Sequence, residues 1–322
     1  MSVKSTDISF VVQGPVVAES SSGAFSTKSV LESTRKYYPN AEIILSTWKG
    51  TDVADLTFNK VILSDDPGGF IHNGILINNN RLIQSTKAGI AEATRKYLVK
   101  TRTDILINDN SLLQQLAVIT PLQGKYALFG HQVLSTVYYV RNPLVLNLVF
   151  HGSDIFLAGF KEDVVALFDA DTQPRSFFIN ADETTRIVAE QYLLLNTIRK
   201  KHNKNYNVKR WEQVSLQLFK QSERYIFNNY KFLDVVEMGI AFPERLYSAF
   251  MHHANYKIED AKLLNHIYSK RSLSEPIIIK RQLAYLVKYY MPKSLGLSMI
   301  GLVNKLKSTF GDKRVPISIT KN

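Results

Sequence analysis

Short apolar runs and longer amphipathic stretches alternate through the first 107 residues. Aliphatic and β-branched runs bounded by turn residues are typical of strands, whereas apolar residues three or four apart are typical of helices. We therefore predict strands at residues 8–12, 43–48, 60–63 and 97–107, and helices at residues 28–38 and 80–96. Alternation at this spacing forms βαβ units, so the sequence predicts an α/β fold with a mainly parallel central sheet flanked by helices.

Further elements are predicted in the middle of the chain. Strand-like apolar runs lie around residues 138–140 and 156–158. A helix is predicted over residues 183–199, with a buried face of residues spaced four and three apart, namely Val188, Tyr192 and Leu195.

The chain divides into two regions. The α/β pattern occupies a predicted domain over residues 1–250, and residues 251–322 form a basic, mainly helical C-terminal region. Residues 280–322 hold nine Lys and Arg against one acidic residue, which is +8 of the net charge of +12. A basic excess of this size indicates a polyanionic partner, either nucleic acid, a membrane surface or a phosphorylated substrate.

Composition excludes several classes of protein. With 45% hydrophobic and 21% charged residues, the chain is neither disordered throughout nor a coiled coil. Cysteine is absent, which excludes disulfides, thiolate metal sites and a thiol nucleophile, and fits the reducing cytoplasm. There is no Walker A loop, no Gly-x-Gly-x-x-Gly and no Gly-x-Ser-x-Gly, so ATPase, dinucleotide-binding and hydrolase functions lose their usual support.

The C-terminal tail mixes lysines with aromatic and aliphatic residues. It predicts two short amphipathic helices broken at Pro292, which would lie in a membrane interface with lysines toward anionic headgroups. The alternative is a pair of helices packed on the domain. No secretory segment opens the chain and no run of 18 apolar residues occurs, so we expect a cytoplasmic, peripheral protein without a transmembrane helix.

Candidate ligand-binding residues follow the predicted strands, because ligands of open parallel sheets bind beyond the carboxyl ends of the strands. Asp104 follows the fourth strand, where a carboxylate can hold a divalent cation against a diphosphate, although it can also simply cap the turn. The usual motif has two acids separated by one residue. Here Arg102 replaces the first acid, so either the metal site is reduced to Asp104 or the arginine supplies the positive charge.

Other candidates each have a plain structural alternative. Arg81 begins the long helix, where phosphate oxygens are favoured, but it can also be a solvated arginine. Asp66 can accept hydrogen bonds from ribose hydroxyls or belong to an ordinary Asp-Pro-Gly turn. Asp154 is a candidate general base or a turn residue, and Glu190 a candidate base or a helix-surface partner of Arg186.

These motifs resemble the WavE lipopolysaccharide-synthesis family of bacterial glycosyltransferases, which have a GT-A-like nucleotide-sugar fold. The matching segments run in order from about residue 8 to about residue 200 and comprise residues 10–16, 38–48, 66–69, 79–86, 100–104, 153–163 and 190–192. The resemblance implies transfer of a sugar from a nucleotide-sugar donor, for which we expect a UDP-sugar, to a hydroxyl of a lipopolysaccharide, O-antigen or capsule glycan. The acceptor would be a lipid-linked or core oligosaccharide at the cytoplasmic face of the inner membrane.

The resemblance also implies roles for individual residues. On the donor side it implies Gln13, Gly14, Pro15, Arg81, Arg102 and Asp104, and the ends of the predicted strands add Thr47 and Asp66. Asp104 would hold Mn²⁺ or Mg²⁺ or contact the donor sugar, and Asp154 and Glu190 would activate the acceptor. Apart from the resemblance, His253 is a candidate metal ligand or diphosphate contact, and the alternative is an ordinary satisfied or exposed histidine.

Two other functions remain open at this point. A non-catalytic membrane-surface scaffold with a transferase-like fold is favoured by the missing first acid before Asp104. A nucleic-acid-binding protein is favoured by the +12 charge, but the excess is terminal and no nucleic-acid-binding motif occurs, so we expect no nucleic-acid partner.

Overall fold

The structure, a computed structural model, describes residues 2–18, 25–212, 215–247, 252–269 and 276–290. The strands in these ranges are β1 (Ile8–Gln13), β2 (Glu42–Trp48), β3 (Lys60–Ser64), β4 (Phe70–His72), β5 (Ile75–Ile77), β6 (Tyr97–Arg102), β7 (Leu106–Ile107), β8 (Val133–Thr136), β9 (Leu157–Phe160), β10 (Tyr230–Leu233) and β11 (Ile240–Ala241). The helices are α1 (Thr27–Tyr37), α2 (Asn79–Ala91), α3 (Leu112–Ala117), α4 (Lys161–Phe168), α5 (Arg175–Phe178), α6 (Ala189–His202), α7 (Leu216–Asn229), α8 (Glu244–Tyr247), α9 (Ile258–Ser269) and α10 (Pro276–Tyr290).

A seven-stranded sheet forms the centre, in the order β10-β8-β9-β6-β1-β2-β3. Strand β9 runs antiparallel to both of its neighbours, and the remaining neighbours pair in parallel. The predicted α/β fold with a mainly parallel sheet is therefore confirmed. Two small antiparallel pairs, β4–β5 and β7–β11, lie outside this sheet.

Successive residues of β1 and β2 enter different cores on the two faces of the sheet. Val11 and Ile44 pack with Ile83 and Ile90 of α2, whereas Val12 packs with residues of α1. Both faces are covered, which explains why these strands are nearly continuous apolar runs. Helix α2 approaches very closely at Gly89, where an added Cβ would lie 2.5 Å from Val11 Cγ1.

The C-terminal helices pack on the same core. Tyr256 and Leu264 belong to the apolar cluster that contains Val11 of the central sheet. A buried carboxylate on α7, Glu223, accepts hydrogen bonds from Arg281 Nε at 2.9 Å and from the Tyr256 hydroxyl at 2.9 Å. Helix α10 is thus attached to the body through a buried ion pair.

Helix α10 covers the first part of the predicted membrane-interface segment. Its Arg281 and Tyr285 side chains are buried against the body, which is the packed alternative, while Ile279, Leu283 and Tyr290 are exposed. The second predicted helix, after Pro292, lies outside the described residues. No helix in the described ranges is long and apolar enough to cross a membrane.

The four strands and two helices predicted in the first 107 residues are found as β1, β2, β3, β6, α1 and α2. Several of their boundaries differ from the prediction, and one strand predicted farther along the chain is not formed. Helix α2 ends at Ala91 and not at residue 96, because the backbone N–H groups of Thr94 and Arg95 donate to side chains of the sheet, Glu42 at 2.8 Å and Ser9 at 3.1 Å. The strand predicted over residues 97–107 is split into β6 and β7 by a turn, in which Ile105 N donates to Arg102 O.

Two predictions in the middle of the chain also differ from the structure. Residues 138–140 form a turn, with Tyr139 at a left-handed φ of 63° and Val140 N bonded to Val137 O. Helix α6 starts at Ala189, since Ile179 forms a bridge with Thr185 in the residues before it. Its fully buried residues include Leu193, Leu194 and Ile198, whereas Val188 and Leu195 of the predicted face are only half-buried.

Candidate functional site

A cavity of about 650 Å³ lies at the carboxyl ends of β1, β2 and β6. Its lining includes nine sequence-predicted residues: Gln13, Gly14, Pro15, Asp66, Arg81, Arg102, Asp104, Asp154 and Glu190. Thr47 does not line it and is fully buried in β2, whereas the next residue, Trp48, does. His253 is exposed in the short turn His252–Ala254 and does not line it either.

The loop after β1 forms one wall of the cavity. Gly14 has a φ of +127°, which disfavours any side chain, and an added Cβ would lie 3.2 Å from Thr103 Oγ1. That hydroxyl donates to Pro15 O at 2.7 Å, and Gly14 N donates to Ser46 O at 3.1 Å. The loop is therefore fastened to both neighbouring strand ends.

Arg81 and Asp66 form a bidentate ion pair on a second wall. Arg81 Nε donates to Asp66 Oδ1 at 2.7 Å, and Nη2 donates to Oδ2 at 2.6 Å. These hydrogen bonds lower the pKa of Asp66 and raise that of Arg81. The predicted role of Asp66 as an acceptor for ribose thus competes, in this structure, with its pairing to arginine.

Asp104 lies almost completely buried between two arginines. Arg102 donates to its two carboxylate oxygens at 2.9 and 3.3 Å, and Arg245 Nη2 also donates to Oδ2. Burial lowers the pKa of both arginines, and the charge of Arg102 lowers that of Arg245 further. Two positive charges thus meet one negative charge at the cavity wall.

This arrangement does not fit a divalent cation. Mg²⁺ and Mn²⁺ need open oxygen ligands, and both Asp104 oxygens face guanidinium groups. Across the parts of the chain that the structure describes, no group of three or more His, Asp or Glu side chains could hold a metal ion. The metal prediction for Asp104 and His253 stays a prediction without support from the geometry.

A buried charged cluster forms the floor of the cavity. Lys100 is fully buried in β6, and its Nζ donates to the main-chain oxygen of Asp154. Burial lowers the pKa of Lys100 to about 8, against the opposing effect of the Asp154 carboxylate. Burial and the same carboxylate raise the pKa of Glu190 to about 8.

Glu190 is held on the first turn of α6. His151 Nε2 lies 3.7 Å from Glu190 Oε2, and burial together with Arg141 lowers the pKa of His151 to about 3. The pairing of Glu190 with Arg186 is not formed, because Arg186 precedes α6 and lies over the Phe177 ring at 5.0 Å. Asp154 and a Glu190 that is mostly protonated at neutral pH therefore share one buried floor, a setting in which carboxyl groups exchange protons with a ligand.

The comparison with protein families decides which group of proteins this chain belongs to. Residues 8–295 match the sequence model described as WavE lipopolysaccharide synthesis. The chain belongs to the WavE lipopolysaccharide synthesis family. Comparison with curated proteins finds no significant match.

Membership of the WavE family connects the chain with lipopolysaccharide synthesis. The match is longer than the resemblance visible in the sequence motifs, which ends near residue 200, and it takes in α8, α9 and α10. Arg245, at the cavity wall, thus lies within the matched part of this WavE protein.

Several residues of the site were missed from the sequence. Lys100, which is fully buried and does not line the cavity itself, could have been found, because a lysine within a strand that is buried on both faces is unusual. Arg245 has no such signal, since it lies in a four-residue helix that only tertiary structure brings to Asp104. Tyr139 also lines the cavity but was assigned to a strand.

Proposed function

We propose that this WavE protein is a glycosyltransferase with a GT-A-like fold, which transfers a sugar from a nucleotide-sugar donor to a hydroxyl of a lipopolysaccharide, O-antigen or capsule glycan. The observation that carries the proposal is the cavity at the carboxyl edge of the sheet, with arginines on its walls and carboxylates on its floor. A negatively charged leaving group and a hydroxyl that must lose a proton need these two kinds of side chain.

The donor occupies the loop side of the cavity. The Gln13–Pro15 loop faces the nucleoside, and Arg81 and Arg102 contact the diphosphate. Two features of the loop support this placement. Its backbone is held by hydrogen bonds, and Gly14 has no side chain that would keep a ligand away from the backbone. A UDP-sugar remains the favoured donor.

The acceptor hydroxyl lies at the floor, where Asp154 and Glu190 activate it. Direct displacement at the anomeric carbon by this hydroxyl inverts the configuration there. The raised pKa of Glu190, about 8, supports a proton-exchanging role, because a carboxyl group that titrates near neutral pH can both accept and return a proton.

We place the protein on the cytoplasmic face of the inner membrane, beside a lipid-linked or core oligosaccharide acceptor. The apolar side chains Ile279, Leu283 and Tyr290 on the exposed side of α10, and the basic charge of residues 280–322, support contact with an anionic membrane surface.

The test is a thermal-shift panel of UDP, GDP, CMP and dTDP, each in EDTA, Mg²⁺ or Mn²⁺. A ligand that binds only the native state raises the melting temperature. At a ligand concentration a hundred times its Kd, the free energy of unfolding increases by about 2.7 kcal/mol. We expect one nucleotide to stabilise the parent chain and Asp104→Ala to lose that shift while it keeps its fold. Production of a glycan from the matching sugar nucleotide then tests transfer itself.

A non-catalytic scaffold is the second candidate. The observation in its favour is the engagement of Asp104 by two arginines, which leaves the usual acidic motif of a metal-dependent transferase incomplete. A scaffold predicts no thermal shift with any nucleotide, with or without metal.

A further inference from the structure

The arrangement around Asp104 has the charge of an anion site and not of a cation site. Arg102 and Arg245 bring two positive charges to one carboxylate whose side chain is 3% exposed. The surplus positive charge lies at the cavity wall, since both arginines line the cavity. The Asp154 carboxylate also acts on Arg102, but the buried Lys100 lies beside it and offsets its charge. A divalent cation would therefore meet net repulsion here, whereas a diphosphate would be attracted.

The two guanidinium groups also have hydrogen-bonding capacity left for a ligand. An arginine has five N–H donors in a planar fork, and Asp104 takes only part of each set. Their side chains are 33% and 53% exposed, so the remaining donors reach the cavity. Guanidinium forks suit phosphate oxygens because they bind in a bidentate manner.

Asp104 fixes the two forks relative to each other. Arg102 extends from the end of β6, and Arg245 lies on α8, which follows β11; the pairing of β11 with β7 brings this distant segment to the site. The Asp104 carboxylate is the contact that joins the two arginine side chains. Asp104 and Arg245 are 141 residues apart in the sequence.

We infer, on the basis of the proposed function, that Arg102 and Arg245 replace the divalent cation of metal-dependent transferases and neutralise the diphosphate of the donor. Asp104 is the positioning residue of this arginine pair. In the transfer step the acceptor oxygen bonds to the anomeric carbon as the bond from that carbon to the diphosphate oxygen breaks. The electron pair stays on the diphosphate, beside the two guanidinium groups, and the acceptor proton passes to a floor carboxylate.

The direct test is binding of inorganic pyrophosphate, UDP and GDP to the full chain by calorimetry, in EDTA and with Mg²⁺ or Mn²⁺ at 0.15 M salt. We expect pyrophosphate and one nucleotide to bind in EDTA, with less than a threefold gain on adding metal. Arg245→Gln should weaken this binding about ten- to a hundredfold, as the loss of charge-assisted hydrogen bonds predicts.

Arg210→Gln is the matched control. Arg210 is also about half exposed and pairs with a carboxylate, Asp182, at 2.6 Å, but it does not line the cavity. Its loss removes the same charge and should change affinity less than twofold, because salt screens distant exposed charges. Equal weakening by both variants would show general electrostatic attraction and overturn the assignment of Arg245.

The remaining outcomes separate the inference from the proposed function. Nucleotide binding that requires Mg²⁺ or Mn²⁺ would overturn the arginine pair and leave the transferase proposal standing. No binding of any probe under any condition would remove the transferase proposal itself.

Asp104→Asn tests the positioning role. The assay uses the sugar nucleotide that corresponds to the nucleotide bound in the calorimetry experiment. Asp104→Asn frees the two arginines that contact the diphosphate, so we expect nucleotide binding to weaken. Since charge on the diphosphate grows as it leaves, we also expect kcat to fall at least tenfold, equally in EDTA and in Mn²⁺. A merely structural role would reduce the folded fraction and leave the kcat of the folded protein unchanged, which would refute positioning.

Discussion

Glu190→Gln should remove a pH-dependent destabilisation of the folded protein. The carboxyl group has an ordinary pKa of 4.5 in the unfolded chain, and burial beside Asp154 raises it to about 8 in the folded protein. As pH rises from 4.5, the unfolded chain releases this proton while the folded protein keeps it. Stability is therefore lost progressively with rising pH until the folded group titrates near pH 8.

The size of the effect follows from the two pKa values. Each pH unit between them costs about 1.4 kcal/mol, with less at either end, which amounts to about 2–3 kcal/mol of unfolding free energy between pH 5 and pH 7. Glutamine cannot ionise, so the variant should gain this amount on the parent over the same interval. The substitution should change the electrostatic environment of Lys100 little in this range, since the folded Glu190 is mostly protonated and uncharged there.

The assay is urea unfolding of parent and variant at pH 5, 6, 7 and 8, followed by circular dichroism and extrapolated linearly to water. Asp66→Asn serves as a contrast, because hydrogen bonds from Arg81 lower the pKa of Asp66 and confine its effect to the acid end. A stability difference between Glu190→Gln and the parent that stays constant from pH 5 to pH 7 would refute the buried, protonated state of Glu190.

Other substitutions test packing and chemistry. Gly89→Ala should cost about 1–3 kcal/mol in urea unfolding because its Cβ would lie 2.5 Å from Val11 Cγ1; an unchanged midpoint would mean that α2 shifts freely. Arg281→Met should cost about 3–5 kcal/mol because it leaves the Glu223 carboxylate buried without its cation, and the double variant with Glu223→Gln should recover most of that loss. Asp154→Asn should lower kcat about a hundredfold or more if it is the base, with nucleotide binding retained in the thermal-shift panel, and full activity would remove Asp154 from the mechanism.

Neighbouring strands β1, β2 and β6 could be predicted because they are buried on both faces, whereas β8 and β10 of the same sheet were not predicted. Residues 8–13 and 42–48 are apolar runs ended by turn residues, and no tertiary contact changes that preference. The end of α2 could not be predicted, because Glu42 and Ser9, which accept from the N–H groups of residues 94 and 95 just after the helix, are distant in sequence. Periodicity predicts which face of a helix is apolar. It does not predict which backbone N–H groups will donate hydrogen bonds to side chains of a distant strand.

The candidate site was predictable to the extent that it belongs to strand ends. Gln13 and Arg102 are the paired last residues of the neighbouring strands β1 and β6, and Asp104 follows two positions later, so topology alone brings them together. Arg245 could not be inferred, since its position depends on the β7–β11 pair, which has only two residues on each strand. The face of α6 was only partly predicted, because Tyr192 is buried as expected but Leu193 and Leu194 are buried as well.

The β7–β11 pair has a consequence for synthesis of the chain on the ribosome. The pair can form only after residue 240 has been synthesised, 133 residues after residue 107. Strands β1, β2, β3 and β6, the parallel half of the sheet, have all been synthesised by residue 102. At about 5–20 residues per second, this interval lasts roughly 7–27 s. During that time the ends of β1, β2 and β6 are already made, while the segment that carries Arg245 is not. The proposed anion site therefore depends on late, long-range closure of the fold.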